Sequence, residues 1–174
     1  MIQEAIKTVV EGNDLTRQNA YQIMTAIMEG QATPAQIGAF MIAAKLKGET
    51  YQEVAGFAQA MREKADRVTT RFPNAIDMCG TGGDGAGTFN VSTVASFVAA
   101  GGGVPVAKHG NRSVSSKCGS ADLLEALGVK IDLDAKQTSQ CLDEIGIAFL
   151  YAPALHKAMK YAVGPRREVG VRTV

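Results

Sequence analysis

The chain has no tryptophan, three cysteines and two histidines in 174 residues, and its net formal charge is only +1. Each scarcity excludes something. Cys79, Cys118 and Cys141 are odd in number and show no C-x-x-C spacing, which argues against a disulfide framework or a zinc site and fits a reducing cytoplasm. Lys and Arg total 18 against 17 Asp and Glu, so no global field grips nucleic acid or an anionic membrane, and any polyanion site has to be a local cluster. Glu4, Lys7 and Glu11 leave no room for the apolar core of a secretory leader. The longest uncharged stretch, Gly85 to Ala107, is long enough to cross a bilayer, but it contains Asn90, Ser92, Thr93, Ser96 and Pro105 and reads as buried soluble structure. With 46% hydrophobic and 20% charged residues, disorder is excluded as the dominant state.

Glycine is the residue in excess. Of 19 glycines, 11 lie between Gly80 and Gly128, which marks a region where backbone turns tightly or approaches something closely. Upstream, the chain reads as helices. Ile2, Ala5, Ile6, Val9 and Val10 form one stripe, and Ala20, Ile23, Met24, Ile27 and Met28 form another after the cap Thr16. Thr33-Pro34 opens a third helix, and Thr50 to Glu53 is a capping box for a fourth. After Pro73 the pattern changes to strand-like runs at Ala75–Cys79, Val104–Ala107, Val129–Ile131 and Ile147–Tyr151, with helices between them at Val91–Ala100, Ser120–Leu127 and Ala135–Ile145. A further helix is expected at Pro153–Ala162, followed by a basic, non-periodic tail. The expected fold is therefore α/β with a small all-α N-terminal domain: a helical bundle at 1–72, a parallel sheet with flanking helices at 73–151, and a helix plus basic segment at 152–174 returning toward the bundle. Nothing after Tyr151 completes the sheet, so the chain is expected to be part of a longer protein and inactive alone.

Two constellations carry chemistry. The first runs from Asp77 through Gly80, Gly82, Gly83, Asp84, Gly85 and Gly87 to Thr88, Asn90, Ser92 and Thr93, between a strand and a helix. Side-chain-free residues let consecutive N–H groups converge on an anion, and the helix start adds partial positive charge. No acid follows at the distance a ribose-binding dinucleotide loop requires, and no Lys stands where a Walker A loop needs one. Asp84 would repel phosphate unless a divalent cation lay between them, which suggests magnesium-assisted diphosphate binding. The second constellation, Lys108 to Ser120, follows a strand and adds Lys108, Arg112 and Lys117 with four serines. Ligands in parallel sheets sit at strand carboxyl ends, so both loops are expected to face one crevice. His109 alone reads as a structural hydrogen-bonder, and Cys118 as a packing residue.

The segments GTGGDG with NVST, KHGNRSVSSKCGSADLLEALG and RREVGVRT resemble the anthranilate phosphoribosyltransferase family of tryptophan biosynthesis, and the resemblance extends over the whole chain. It implies a helical domain used for homodimerisation, a larger α/β domain, and an active site at the hinge. It further implies that Gly80, Gly83, Asp84, Thr88, Asn90, Val91, Ser92, Thr93, Lys108, His109, Gly110, Asn111, Arg112, Ser113, Val114, Ser115, Ser116 and Ser120 bind phosphoribosyl pyrophosphate (PRPP). Ser92 would ligate Mg2+, while Gly80, Asn111 and Arg166 would contact anthranilate. His156-Lys157 and Gly164-Pro165 depart from that family's usual His-Pro and Pro-Val. Two rival readings are a pyrimidine nucleoside phosphorylase, whose basic signature is not found, and a non-catalytic nucleic-acid-binding relative, which predicts a degraded glycine loop and a basic surface.

Overall fold

The structure, a computed structural model, describes residues 1–80, 89–113 and 118–171. The chain divides into a helical unit, residues 1–65 with 156–174, and an α/β unit, residues 66–155.

In the helical unit, α1 (Ile2–Val10), α2 (Arg17–Met28), α3 (Pro34–Lys47) and α4 (Tyr51–Lys64) follow one another, the last three starting where hydroxyl caps stand. Thr16 Oγ1 accepts from Asn19 N, and Thr33 and Thr50 form reciprocal capping boxes with Gln36 and Glu53. Ile23, Ile27, Ile37, Phe40 and Phe57 form the core, with the Phe40 and Phe57 rings edge to face at 6.0 Å. Met24 and Met41 pack against it and Met28 is buried, so these large side chains are absorbed by the unit itself. Val10, expected on the buried stripe, is exposed. Gly56 permits close helix contact, because a Cβ there would collide with the Arg17 carbonyl and with Ala20.

After a 3-10 turn at Lys157–Met159, α9 (Lys160–Val169) packs on α3 with Ala162 and Pro165 buried. This corrects the expectation of a non-periodic basic tail. Gly164-Pro165-Arg166-Arg167-Glu168 is helical despite an internal proline, because burial of one face outweighs the local helix-breaking preference.

In the α/β unit, α5 (Val91–Gly101), β1 (Val106–Gly110), α6 (Ser120–Ala126), α7 (Ala135–Ile145), β2 (Ile147–Tyr151) and α8 (Ala152–Leu155) follow in order. Among the described residues the sheet has two strands, parallel, with Val106 opposite Ile147 and Gly110 opposite Tyr151. Three expectations change. The strand expected at Val104–Ala107 lies two residues later and carries Lys108, His109 and Gly110 itself. Ala75–Cys79 contributes one bridge, Ile76 to Val106. The pairing stops there because His109 N–H donates to the Asp77 side chain rather than to a backbone carbonyl. Val129–Ile131 is not a strand: the chain turns at Gly128, Val129 N bonds Leu124 O, and Ile131 is buried against Ala121 and Leu124. Helix α5 also departs from the buried reading of Gly85 to Ala107. Thr93 and Ser96 are buried, but Val94, Phe97 and Val98 are exposed.

Glu53 is the buried anion of the helical unit. Its Oε1 accepts from Leu15 N at 2.9 Å, while Oε2 accepts from Thr50 N, Thr50 Oγ1 and Lys47 Nζ. Burial pushes the carboxyl up, but the N–H donors of Thr50 and Leu15 and the Lys47 ammonium outweigh it and hold it below its ordinary value. A lowered carboxylate adds stability above its unfolded pKa and loses it as pH falls through the folded value. Glu53→Gln should therefore cost about 1–3 kcal/mol near neutrality. The gap to the unsubstituted chain should shrink below roughly pH 4.3. Denaturant unfolding from pH 7 to pH 3 tests this, and a pH-independent gap would show that the carboxylate charge is not what holds the site together.

Candidate functional site

Four residues of the α/β unit meet where Ile76, β1 and α5 end or begin. Asp77 Oδ1 accepts from Cys79 N and His109 N, each at 3.0 Å, and Oδ2 lies 2.7 Å from His109 Nδ1. Lys108 is only 4% exposed, and its ammonium is held by Ser92 Oγ at 3.2 Å, His109 O at 3.3 Å and Met78 O at 3.4 Å. Burial lowers its pKa, and the neighbouring Cys79 and Asp77 draw it partly back. The strand thus points a cation inward at the first turn of α5.

That turn supplies donors. Thr93 is 1% exposed, and its Oγ1 has no hydrogen-bond partner among the described residues, a state that costs free energy unless something else fills it. Ser96 Oγ bonds Ser92 O, leaving the Ser92 hydroxyl to Lys108. Asn90 stands at the N-cap of α5 with no side-chain capping bond, and its amide instead reaches Cys118 Sγ at 3.7 Å, linking the approaches to the two loops. Val91 is exposed at the same helix start, and Gly80 is exposed at the entry to the glycine loop.

The second loop is braced at its base. Asp122 Oδ2 accepts from Ser113 N at 3.1 Å and from Gly119 N at 2.8 Å, so one carboxylate oxygen holds both ends of the segment. Gly119 is needed there because a Cβ would collide with the Arg112–Ser113 backbone. The Arg112 guanidinium bonds Asp122 Oδ1 and both Glu125 oxygens at 2.9 to 3.1 Å, and these pairs raise its pKa. Asn111 Oδ1 accepts from Arg112 N, and Ser120 Oγ bonds Asn111 O. The sequence reading gives Asp122 and Glu125 no role in the site and names Asp77 only as the start of the first constellation. The available signal for Asp122 is its place three residues after Gly119, the spacing of a helix cap.

Of the residues expected on PRPP, the structure brings Lys108, His109 and Ser92 together, buries Thr93 in the first turn of α5, and puts Asn111, Arg112, Ser113 and Ser120 at the base of the second loop, with Gly110 at the end of β1. Gly83, Asp84, Thr88, Val114, Ser115 and Ser116 lie outside the described residues. Arg166 belongs to α9 of the helical unit, where it lines an apolar cavity with Met24, Phe40 and Met159. Among the described residues no group of three or more His, Cys, Asp or Glu is placed to hold a metal ion. Ser92 could join a magnesium ion only together with oxygens of a bound diphosphate, which is the usual way magnesium is held at phosphate sites.

Residues 72–174 match the α/β domain, and residues 3–65 the helical bundle domain, of a glycosyl transferase family. The chain belongs to this glycosyl transferase family. A curated relative, the anthranilate phosphoribosyltransferase of Pelotomaculum thermopropionicum, is 60% identical over all 174 residues, which are 50% of its length. The crystal structure of anthranilate phosphoribosyltransferase from Thermus thermophilus superposes with a TM-score of 0.86 at 45% identity, over 97% of this chain and 51% of that one. The Saccharomyces cerevisiae enzyme in complex with PRPP and Mg superposes at 0.88 with 26% identity, over 99% and 52%. This glycosyl transferase chain spans about half the length of the relatives it matches. The resemblance to anthranilate phosphoribosyltransferase and the expected α/β fold with its helical N-terminal part both hold.

Gly119 N–H and Ser113 N–H, with the Arg112 guanidinium, hold the Asp122 carboxyl below its ordinary value. Its contribution to the loop is therefore present above its unfolded pKa, about 3.9, and lost as pH falls through the lowered one. Asp122→Ala should speed amide exchange at Ser113 and Gly119 by roughly tenfold or more while leaving β2 amides unchanged. Equal protection in both chains would show that the loop base is held by other contacts.

Proposed function

We propose that this chain forms part of an anthranilate phosphoribosyltransferase, which transfers the phosphoribosyl group of PRPP to the amino group of anthranilate and releases pyrophosphate in tryptophan biosynthesis. The observation that carries the reading is the buried Lys108 ammonium held by Ser92 at the start of α5, the helix whose next residue, Thr93, has a buried hydroxyl with no partner among the described residues. In the transfer, the C1–O bond to pyrophosphate breaks with its electron pair leaving on oxygen. The amine lone pair forms the C1–N bond, and the surplus proton passes to solvent. Charge on the leaving group is the main obstacle, so fixed cations and N–H donors contribute more than a protein nucleophile. An aromatic amine is neutral at pH 7 and needs no strong base.

Lys108, the α5 start and the glycine loop take the phosphates in this reading. Ser92 would be a protein ligand to magnesium, which when bound would add positive charge against the diphosphate. Arg112 would exchange its carboxylate partners for phosphate oxygens on binding. Arg166 pairs with the anthranilate carboxylate, a match for its planar fork, and Gly80 and Asn111 complete that contact. A cytoplasmic location accords with Cys79, Cys118 and Cys141 forming no disulfide among the described residues. A homodimer through the helical unit is supported by Val10, Leu46 and Tyr51, large apolar side chains exposed on it. Sedimentation should give twice the chain mass at micromolar concentration, and a monomer would overturn the dimer.

In a chain extended to the relatives' length, Lys108→Ala should weaken binding of magnesium PRPP about 10- to 100-fold, as expected for a lost charge-assisted bond. Arg166→Ala should raise the KM for anthranilate and leave that for PRPP nearly unchanged. Unchanged titration heats for Lys108→Ala would remove the PRPP site from this loop, and the reverse KM pattern would move Arg166 to the other substrate.

A further inference from the structure

Asp77 uses its two oxygens differently. Oδ1 ties together two backbone N–H groups, Cys79 at the entry to the glycine loop and His109 near the end of β1, while Oδ2 faces His109 Nδ1 at 2.7 Å. An ionised carboxylate can only accept, so the ring nitrogen opposite Oδ2 carries the proton. In the neutral imidazole the second nitrogen, Nε2, is then an acceptor and nothing else. The His109 side chain is 41% exposed, which leaves the ring accessible to a ligand.

We propose that Asp77 is a positioning residue that locks His109 in its Nδ1–H form, so that Nε2 accepts a hydrogen bond from a ribose hydroxyl of PRPP. The proposal rests on the PRPP reading of the site. The chemistry selects the hydroxyl over the phosphates. At neutral pH phosphate oxygens accept and do not donate, so a bare ring nitrogen gains nothing from them. A ribose hydroxyl carries the hydrogen that Nε2 lacks. Lys108, the residue before His109 on β1, turns to the opposite face of the strand toward Ser92 and handles the anionic part of the ligand, so the two residues divide the molecule by its chemistry.

Asp77→Asn separates the lock from the tie. The two backbone donors keep the amide oxygen where Oδ1 stood, which turns the NH2 group toward Nδ1. That group donates, so the ring has to move its proton to Nε2 and lose its acceptor. The chain has two histidines, and His156→Gln identifies the His109 signals in nitrogen-15 imidazole spectra of a chain extended to the relatives' length. At about pH 8, where an ordinary imidazole is neutral, the unsubstituted chain should show Nδ1 protonated and Asp77→Asn should show Nε2 protonated. Asp77→Asn should also weaken ribose 5-phosphate binding about three- to tenfold, the effect of one hydrogen bond. Binding of inorganic pyrophosphate should change by no more than about twofold. The same tautomer in both chains, or an equal loss for both ligands, overturns the role of Asp77 while leaving PRPP binding intact. Failure of the unsubstituted chain to bind PRPP would instead overturn the reading of the site, and the ribose assignment with it.

Discussion

Burial of the Lys108 ammonium is the constraint around which the α/β unit is organised. An ammonium removed from water carries a desolvation penalty of several kcal/mol unless oxygens replace its hydration. The replacements come from three places in the chain: Met78 in the segment after Ile76, Ser92 at the first turn of α5, and the carbonyl of His109 on the same strand. One charge therefore forces three segments to converge. Without it, the entry to the glycine loop would be attached to β1 by a single backbone bridge and the Asp77 carboxylate.

The helical unit is also built round one buried charge, and the contrast shows what the α/β unit leaves open. Glu53 is answered in full by backbone N–H groups, a hydroxyl and the Lys47 ammonium, which is itself shared with Asp14. Its charge is neutralised inside the protein. Among the described residues Lys108 is held by neutral oxygens, and Asp77, a carboxylate that influences it, spends its hydrogen bonds on His109 and Cys79. Among the described residues the positive charge is solvated but meets no carboxylate hydrogen bond, and the buried Thr93 hydroxyl at the same turn has no partner. A closed ion pair stabilises a fold, whereas an open one leaves field for a ligand.

Local chemistry is readable from the sequence wherever the chain satisfies itself nearby. The caps at Thr16, Thr33 and Thr50 depend on contacts three residues apart, and the helix Ala135–Ile145 is bounded by Asp134 and the left-handed Gly146, so these elements are legible. Long-range satisfaction is not. A strand at Ala75–Cys79 reads well in hydropathy, yet Asp77 replaces a ladder carbonyl as the acceptor for His109 N–H, 32 residues away. Val129–Ile131 has the composition of a strand, but α6 buries it without a partner. Arg166 sits in a helix that its own proline argues against, because α3 covers one face. Residue type alone marks the loops that carry the chemistry, while the acids bracing them escape notice because an acid beside a phosphate loop looks like repulsion.

Counting cations in a motif treats each as available, and on that count Lys108 and Arg112 contribute equally. In the structure Arg112 faces two carboxylates across three hydrogen bonds, and one of them, Asp122, also holds both ends of the loop. Its charge is compensated locally, so the potential it adds at a distance is small. For Arg112 to reach a phosphate it must release Glu125 or Asp122, exchanging one charge-assisted contact for another with little net gain. On the proposed reading, Lys108 would exchange what are, among the described residues, neutral oxygens for an anion. The free energy of binding a diphosphate then falls mainly on Lys108 and the α5 start, and the exchange at Arg112 adds little to it.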